Sequence, residues 1–253
     1  MTKFLTSTAA AACLFALAAC GGGAGSGGGA SPTPVSAPTK SSSTADMIAF
    51  AEDGGTSEAI TATPSSTGPG PITRTTRSVT VDGKVTTVMT DATSEGVVGI
   101  VELTKDGVAT YRFNDDAAIV TGAASGRYAG RTNATYRLDN GSSEVSGDGS
   151  FNLVLDTGTG EANYGLTVYA DDGSSSVEAY GAAAYANGRF DETNDGVILR
   201  DENGTVIRTN EELTIDGAII GSDAVNAAAG TIVGETGTGF MIDGVFMAGQ
   251  APK

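Results

Sequence analysis

The sequence predicts an all-β protein: an antiparallel up-and-down β-barrel, with room for a small N-terminal sheet, standing behind a flexible tether. Three observations predict it. Apolar residues recur with a period of two, as in Phe151, Leu153 and Leu155, in Tyr164, Leu166 and Val168, and in Phe240, Ile242 and Phe246. Asp-Gly and Asn-Gly pairs punctuate these runs at hairpin spacing (Asp82-Gly83, Asp106-Gly107, Asn140-Gly141, Asp172-Gly173, Asn203-Gly204), and such pairs supply the positive φ of tight turns. Six of the seven prolines lie at or before Pro71 and the last is Pro252, so residues 72–251 form ladders without a missing amide donor.

Taken in order, residues 1–19 read as a signal peptide. Lys3 precedes an apolar run from Ala9 to Ala19 that is too short and too rich in alanine for a good membrane-spanning helix. The run ends in Leu17-Ala18-Ala19-Cys20, which resembles the lipobox of bacterial lipoproteins. In that family the chain is cut before the cysteine, which then carries acyl chains such as palmitate. The resemblance therefore implies Cys20 as the lipidation site, and several chains anchor where one is marginal. Gly21, not Asp, follows, which by the lipoprotein sorting rule implies the outer membrane, with the cell surface as a possible display site.

Residues 20–71 are expected to be tether. Gly21–Gly29 and the Ser/Thr/Pro/Ala stretch to Thr44 hold too little apolar surface to bury. Within them Met47-Ile48-Ala49-Phe50-Ala51 predicts one or two helical turns docked on the domain, and Ser65–Pro71 returns to loop chemistry. The domain is expected over 72–253. Its strands are predicted at 73–81, 84–90, 97–104, 108–113, 126–138, 145–155, 161–170, 177–186, 196–200, 205–208, 213–220, 230–234 and 239–248. One gap, Ser222–Ala229, reads as a short Ala-rich helical turn capped by Ser222. Hairpins without crossover helices make a meander, and so many strands must close to remove their edges. No ten-residue outward apolar band or aromatic girdle marks a transmembrane barrel, so a soluble barrel is expected.

Composition narrows the chemistry. Among 253 residues there is no His, so the Ser-His-Asp and Cys-His arrangements and His-ligated zinc are excluded. With 14 basic and 30 acidic residues the formal charge is −16, which disfavours nucleic acid and favours basic or cationic partners. The two cysteines are Cys13 and Cys20, so no disulfide staples the domain. No cofactor and a monomeric state are expected.

A second resemblance lies near the C-terminus. Gly217-Ala-Ile-Ile-Gly221-Ser-Asp-Ala-Val-Asn-Ala-Ala-Ala-Gly230-Thr-Ile-Val, followed by Gly244-Val-Phe246-Met-Ala, resembles the signature of transferrin-binding-protein-B-like β-barrel domains, with Ile219-Ile220 where an aromatic pair is usual. Ala134-Thr-Tyr136 and Gly149–Gly160 resemble that family's earlier barrel hairpin. The family are surface or outer-membrane lipoproteins, binders and not enzymes, whose contacts lie in variable loops. The resemblance thus implies a lipid-anchored binding protein with an external protein or small ligand as partner. A structural envelope lipoprotein without a dedicated ligand is the alternative, and a carboxylate-based hydrolase ranks third.

The remaining motifs compete with plain turns. Asp191, Asp195-Gly196 and Glu202 approximate a calcium loop, but their flanks read as strands and an acidic hairpin is the simpler reading, so no metal ligand is assigned. Gly147-Asp148-Gly149, Asp171-Asp172-Gly173 and Gly234–Gly239 read as turns. Asp115-Asp116 and Glu211-Glu212 are neighbours that point to opposite faces of a strand, so neither serves as an acid/base pair; Glu211-Glu212 reads as edge-protecting charge. No catalytic residue is assigned.

Overall fold

The computed structural model describes residues 36–60 and 72–250. The expected signal peptide over residues 1–19, Cys20, and the expected loop over residues 65–71 lie outside the described residues. Helix α1 (Thr44–Glu52) starts at a capping box: the Ser43 hydroxyl accepts from the Asp46 amide, and the Asp46 carboxylate accepts from Ser43. Its Met47, Phe50 and Ala51 pack on Val88, Val101 and Leu103, so the helical turn does dock as the sequence implies.

Below the helix lies a five-stranded antiparallel sheet in sequence order: β1 (Thr56–Ile60), β2 (Ile72–Val81), β3 (Lys84–Ala92), β4 (Val98–Lys105) and β5 (Val108–Phe113). Strand β1 has no counterpart among the strands expected from the sequence. Four of its five residues are exposed, so no apolar alternation announces it, and the ladder to β2 is what orders it. Both α1 and β1 fall within the stretch expected to be tether.

The second layer is a closed eight-stranded barrel of β6 (Gly126–Arg137), β7 (Val145–Asp156), β8 (Glu161–Ala170), β9 (Ser175–Ala186), β10 (Arg189–Asp201), β11 (Val206–Gly221), β12 (Asn226–Glu235) and β13 (Met241–Gln250). Each strand pairs antiparallel with the next, and β13 returns to β6, with Phe246 opposite Thr132. The all-β, up-and-down barrel with its small sheet is therefore the architecture of the described chain.

Two local expectations fail. Residues 222–229 are not helical. Gly221 at φ 115° and the Ser222 hydroxyl, accepting from the Ala224 and Val225 amides, make a tight turn, and Asn226–Ala229 already belong to β12. The alanines suit a strand covered on both faces: Ala228 faces the barrel core while Ala227 and Ala229 face the sheet. The predicted strands 205–208 and 213–220 are one strand, β11, in which Asn210 takes a positive φ of 61°.

The core sits inside the barrel. Phe151 stacks on Phe246 with centroids 3.9 Å apart, and Phe190 tilts against Phe246 at 6.1 Å. Gly217 and Gly230, paired across β11 and β12, leave the space these rings fill: a Cβ on Gly217 would stand 2.7 Å from Phe190 and 2.8 Å from Phe246. Toward one end the Tyr136 hydroxyl donates to the Ser175 carbonyl, and toward the other Tyr128 donates to Asn226. The β5–β6 linker adds Val120 and Ala123 to this core. Outside the barrel, Ala218, Ile220, Val245 and Met247 meet Ile72, Ile100 and Tyr111 of the sheet. This explains why β11–β13 lose the two-residue alternation.

Candidate binding cleft between the sheet and the barrel

Large side chains occupy the barrel interior, and open space lies on the outside of the barrel. The sheet covers the barrel wall with an apolar contact at β11–β13, but toward β6–β8 the facing residues turn polar. There a cleft of about 240 Å³ opens between Glu102, Thr104 and Tyr111 on the sheet and Asn133, Asp148 and Asp171 on the barrel.

Alternation along β4 places Glu102 on the barrel-facing side with Ile100, while Val101 and Leu103 face α1. The Thr104 hydroxyl donates to Glu102 Oε1 at 3.1 Å, and the Asn133 amide donates to Oε2 at 3.2 Å across the two layers. Burial pushes the Glu102 carboxyl above its ordinary value, against the pull of the Thr104 hydrogen bond and the Arg74 charge. Arg74 sits behind it and is already engaged: its Nε and Nη2 meet the Asp91 carboxylate at 2.7 Å each, in a buried bidentate pair. Burial opposes the Arg74 cation, and Asp91 outweighs it, so that guanidinium stays charged. Burial, with Glu102 nearby, raises the Tyr111 hydroxyl well above the usual phenol range. At the rim Arg131 reaches Asp148 at 2.9 Å.

The turn residues Gly147, Asp148 and Asp171 singled out from the sequence line the cleft, and the acidic residues read as a calcium loop or as edge charge fall elsewhere. Asp191 lies within β10 opposite Asp216 and Ala184, Asp195-Gly196 bulge between Asn194 and Val197, and Glu202 is in the following turn. The ten steps of strand from Asp191 to Asp201, at about 3.3 Å each, span on the order of 30 Å and carry Asp191 away from Glu202, so the calcium reading is overturned. No group of three or more potential metal-ligating residues forms among the described residues. The edge-charge reading of Glu211 fails as well, because its side chain is turned away from solvent. Glu211 is buried and accepts from Thr236, Thr238 and Arg208; against the opposing effect of burial, these donors hold its carboxyl below the usual value. Asp172 and Gly173 make an ordinary turn.

Sequence reasoning missed Glu102, Tyr111 and Asn133. The available signal was Glu102 itself, a charge set within the apolar run Ile100-Val101-Glu102-Leu103. The cleft is assembled by packing a sheet on a barrel, and no local pattern encodes it.

No family model matches the chain, and no curated protein matches it. Among solved structures it is similar to the isotype 1 transferrin binding protein B from serogroup B Neisseria meningitidis, at 16% identity and a TM-score of 0.47, over 69% of this chain and 36% of that one. It is also similar to the transferrin binding protein B double mutant from Haemophilus parasuis Hp5, at 12% identity and a TM-score of 0.43, over 71% and 37% of the respective chains. The chain thus spans little more than a third of the length of either protein.

Proposed function

We propose that this is a lipid-anchored binding lipoprotein of the outer membrane, displayed at the cell surface, that captures an external partner on the outside of its barrel-and-sheet unit and catalyses no reaction. In this reading residues 1–19 are removed, Cys20 carries the lipid, and the Gly/Ser-rich segment holds the folded unit away from the membrane. The anchor rests on Leu17-Ala18-Ala19-Cys20. The binding role rests on one observation: the barrel core is filled by stacked aromatic rings while the open, polar cleft lies on the outside at the sheet–barrel boundary. A partner is therefore met by the outer face and loops, not swallowed by the barrel.

Protease treatment of intact and lysed cells tests display: loss of the domain on intact cells is expected, and protection until lysis refutes surface exposure. Cys20→Ser is expected to release the protein from membranes, and continued sedimentation with them refutes the anchor. Capture of an external protein by the purified domain separates a binder from a structural envelope lipoprotein.

A further inference from the structure

We propose that the outer wall of the barrel at β7–β9 is a platform for a neutral sugar chain, with a pyranose ring stacked on Tyr180 and its hydroxyls bonded by Asn152 and Asn163. This goes beyond the binding role proposed above, and these three residues do not line the cleft.

Tyr180 is the first ground. Alternation along β9 turns Val177, Ala179 and Ala183 into the barrel core and Tyr180 outward, where it is 61% exposed. Its partner across the ladder is Gly165, and the ring lies over it: a Cβ on Gly165 would stand 3.0 Å from Tyr180 Cδ1 and 3.1 Å from Cε1. Part of the ring thus rests on backbone while the rest meets water. The backbone beneath it is held as well, because β10 parts from β9 here and Asn194 Nδ2 donates to the Tyr180 carbonyl at 2.6 Å in place of the ladder. A ring fixed in the open leaves apolar surface in water, which a ligand with an aliphatic C–H face covers.

The surroundings of the ring are the second ground, and they select the ligand. On this face the positions next to the Gly165–Tyr180 pair are Asn152, Asn163, Thr167, Glu178 and Ala182. Glu178 is the only charge among them, and Arg200 Nε holds it at 3.0 Å. Asn152 and Asn163 are exposed, and their side-chain amides are uncommitted among the described residues, so each offers donors and an acceptor. In a chain of formal charge −16, the ground beside Tyr180 therefore carries no free charge on β7–β9, which fits an uncharged ligand. Asp195, exposed in the adjoining bulge of β10, repels an anionic one. A group with C–H on its face and hydroxyls at its rim meets both demands, and a pyranose ring is such a group. Tyr169, 56% exposed and four residues beyond Gly165 on β8, offers a second ring roughly 13 Å along the strand. Two rings at that spacing suit several linked sugars better than one.

The test is a titration of the ¹⁵N-labelled protein with maltotetraose, cellotetraose and tetra-N-acetylchitotetraose, using tetragalacturonate as the anionic control and a blocked Pro-Pro-Pro peptide as the non-sugar control. Saturable shifts confined to the amides around Asn152, Gly165 and Tyr180 are expected with at least one neutral tetrasaccharide at millimolar concentration, and with neither control. Tyr180→Ala is expected to weaken that binding about tenfold and Tyr180→Phe to retain it, since the ring face and not the hydroxyl is used. Asn152→Ala, which leaves the cover over Gly165 in place, is expected to weaken it about fivefold. The proposal is overturned by the absence of shifts with all three neutral sugars, by shifts confined to the cleft around Tyr111 and Asn133, or by an equal response to the peptide. Affinity unchanged in both Tyr180→Ala and Asn152→Ala overturns it as well.

Discussion

Phe246→Ala, paired with Gly217→Ala, probes whether the barrel is held by the interlocking of rings and glycines at its centre. Phe246 is fully buried, stacks on Phe151 at 3.9 Å and tilts against Phe190. Truncating a buried Phe costs about 3–5 kcal/mol, to which the lost stacking contributes about 0.5–1.5. At about 2–4 °C per kcal/mol for a chain of this size, a loss near 4 kcal/mol lowers Tm by roughly 8–16 °C. Gly217→Ala acts in the opposite sense, by overfilling. Its Cβ would meet Phe190 at 2.7 Å, Phe246 at 2.8 Å and the Ala229 carbonyl at 2.9 Å, a cost of about 1–3 kcal/mol. Removing the Phe246 ring eliminates one of those three contacts and opens space beside the new methyl. The double variant should therefore be more stable than the sum of the single changes predicts, by about 1 kcal/mol. Urea unfolding followed by far-UV circular dichroism measures all four proteins, since the chain has no Trp to report by fluorescence. A Phe246→Ala cost under about 1 kcal/mol, or strict additivity within about 0.3 kcal/mol, refutes the interlocking.

Three further outcomes are expected. Arg74→Met should cost about 3–5 kcal/mol because it strands the buried Asp91 carboxylate, whereas adding Asp91→Leu should recover most of that in the same urea titration. Asn194→Ala should speed hydrogen exchange over 179–183 and 192–197, where the β9–β10 ladder is interrupted and the Asn194 amide bridges to the Tyr180 carbonyl and the Tyr164 hydroxyl; unchanged exchange there counts against that bridging role. Burial raises the folded-state value of Glu102, so its stabilising contribution is complete below the ordinary carboxylate range and is lost as pH rises through the raised value. Glu102→Gln should accordingly raise Tm relative to the parent at pH 7 and lose that advantage near pH 4, and a Tm difference independent of pH contradicts the assignment.

Much of the fold is legible along the chain. The period of two in β7 and β8, together with the Asp-Gly turns in which Asp82 and Asp106 both take φ 52°, marks hairpins wherever one face meets the core and the other meets water. That legibility weakens where the contrast disappears. Residues 226–229 look helical because alanine favours helices and both faces of the strand are covered, which erases the alternation. Strand β1 is invisible for the opposite reason, since almost nothing on it is buried.

Periodicity, turn residues and composition are local properties, and they suffice for an antiparallel barrel, an acidic chain without histidine chemistry, and an N-terminal Cys20 motif. Three-dimensional packing settles the rest: the interior is filled, Asp191 and Glu202 lie far apart along a strand, and Glu102, Tyr111, Asn133 and Asp171 share one cleft. Those four residues come from β4, β5, β6 and the β8–β9 turn. They meet only because the sheet packs across the barrel wall through Ile72, Ile100, Ile220 and Met247, a contact between segments more than a hundred residues apart whose geometry no short pattern records.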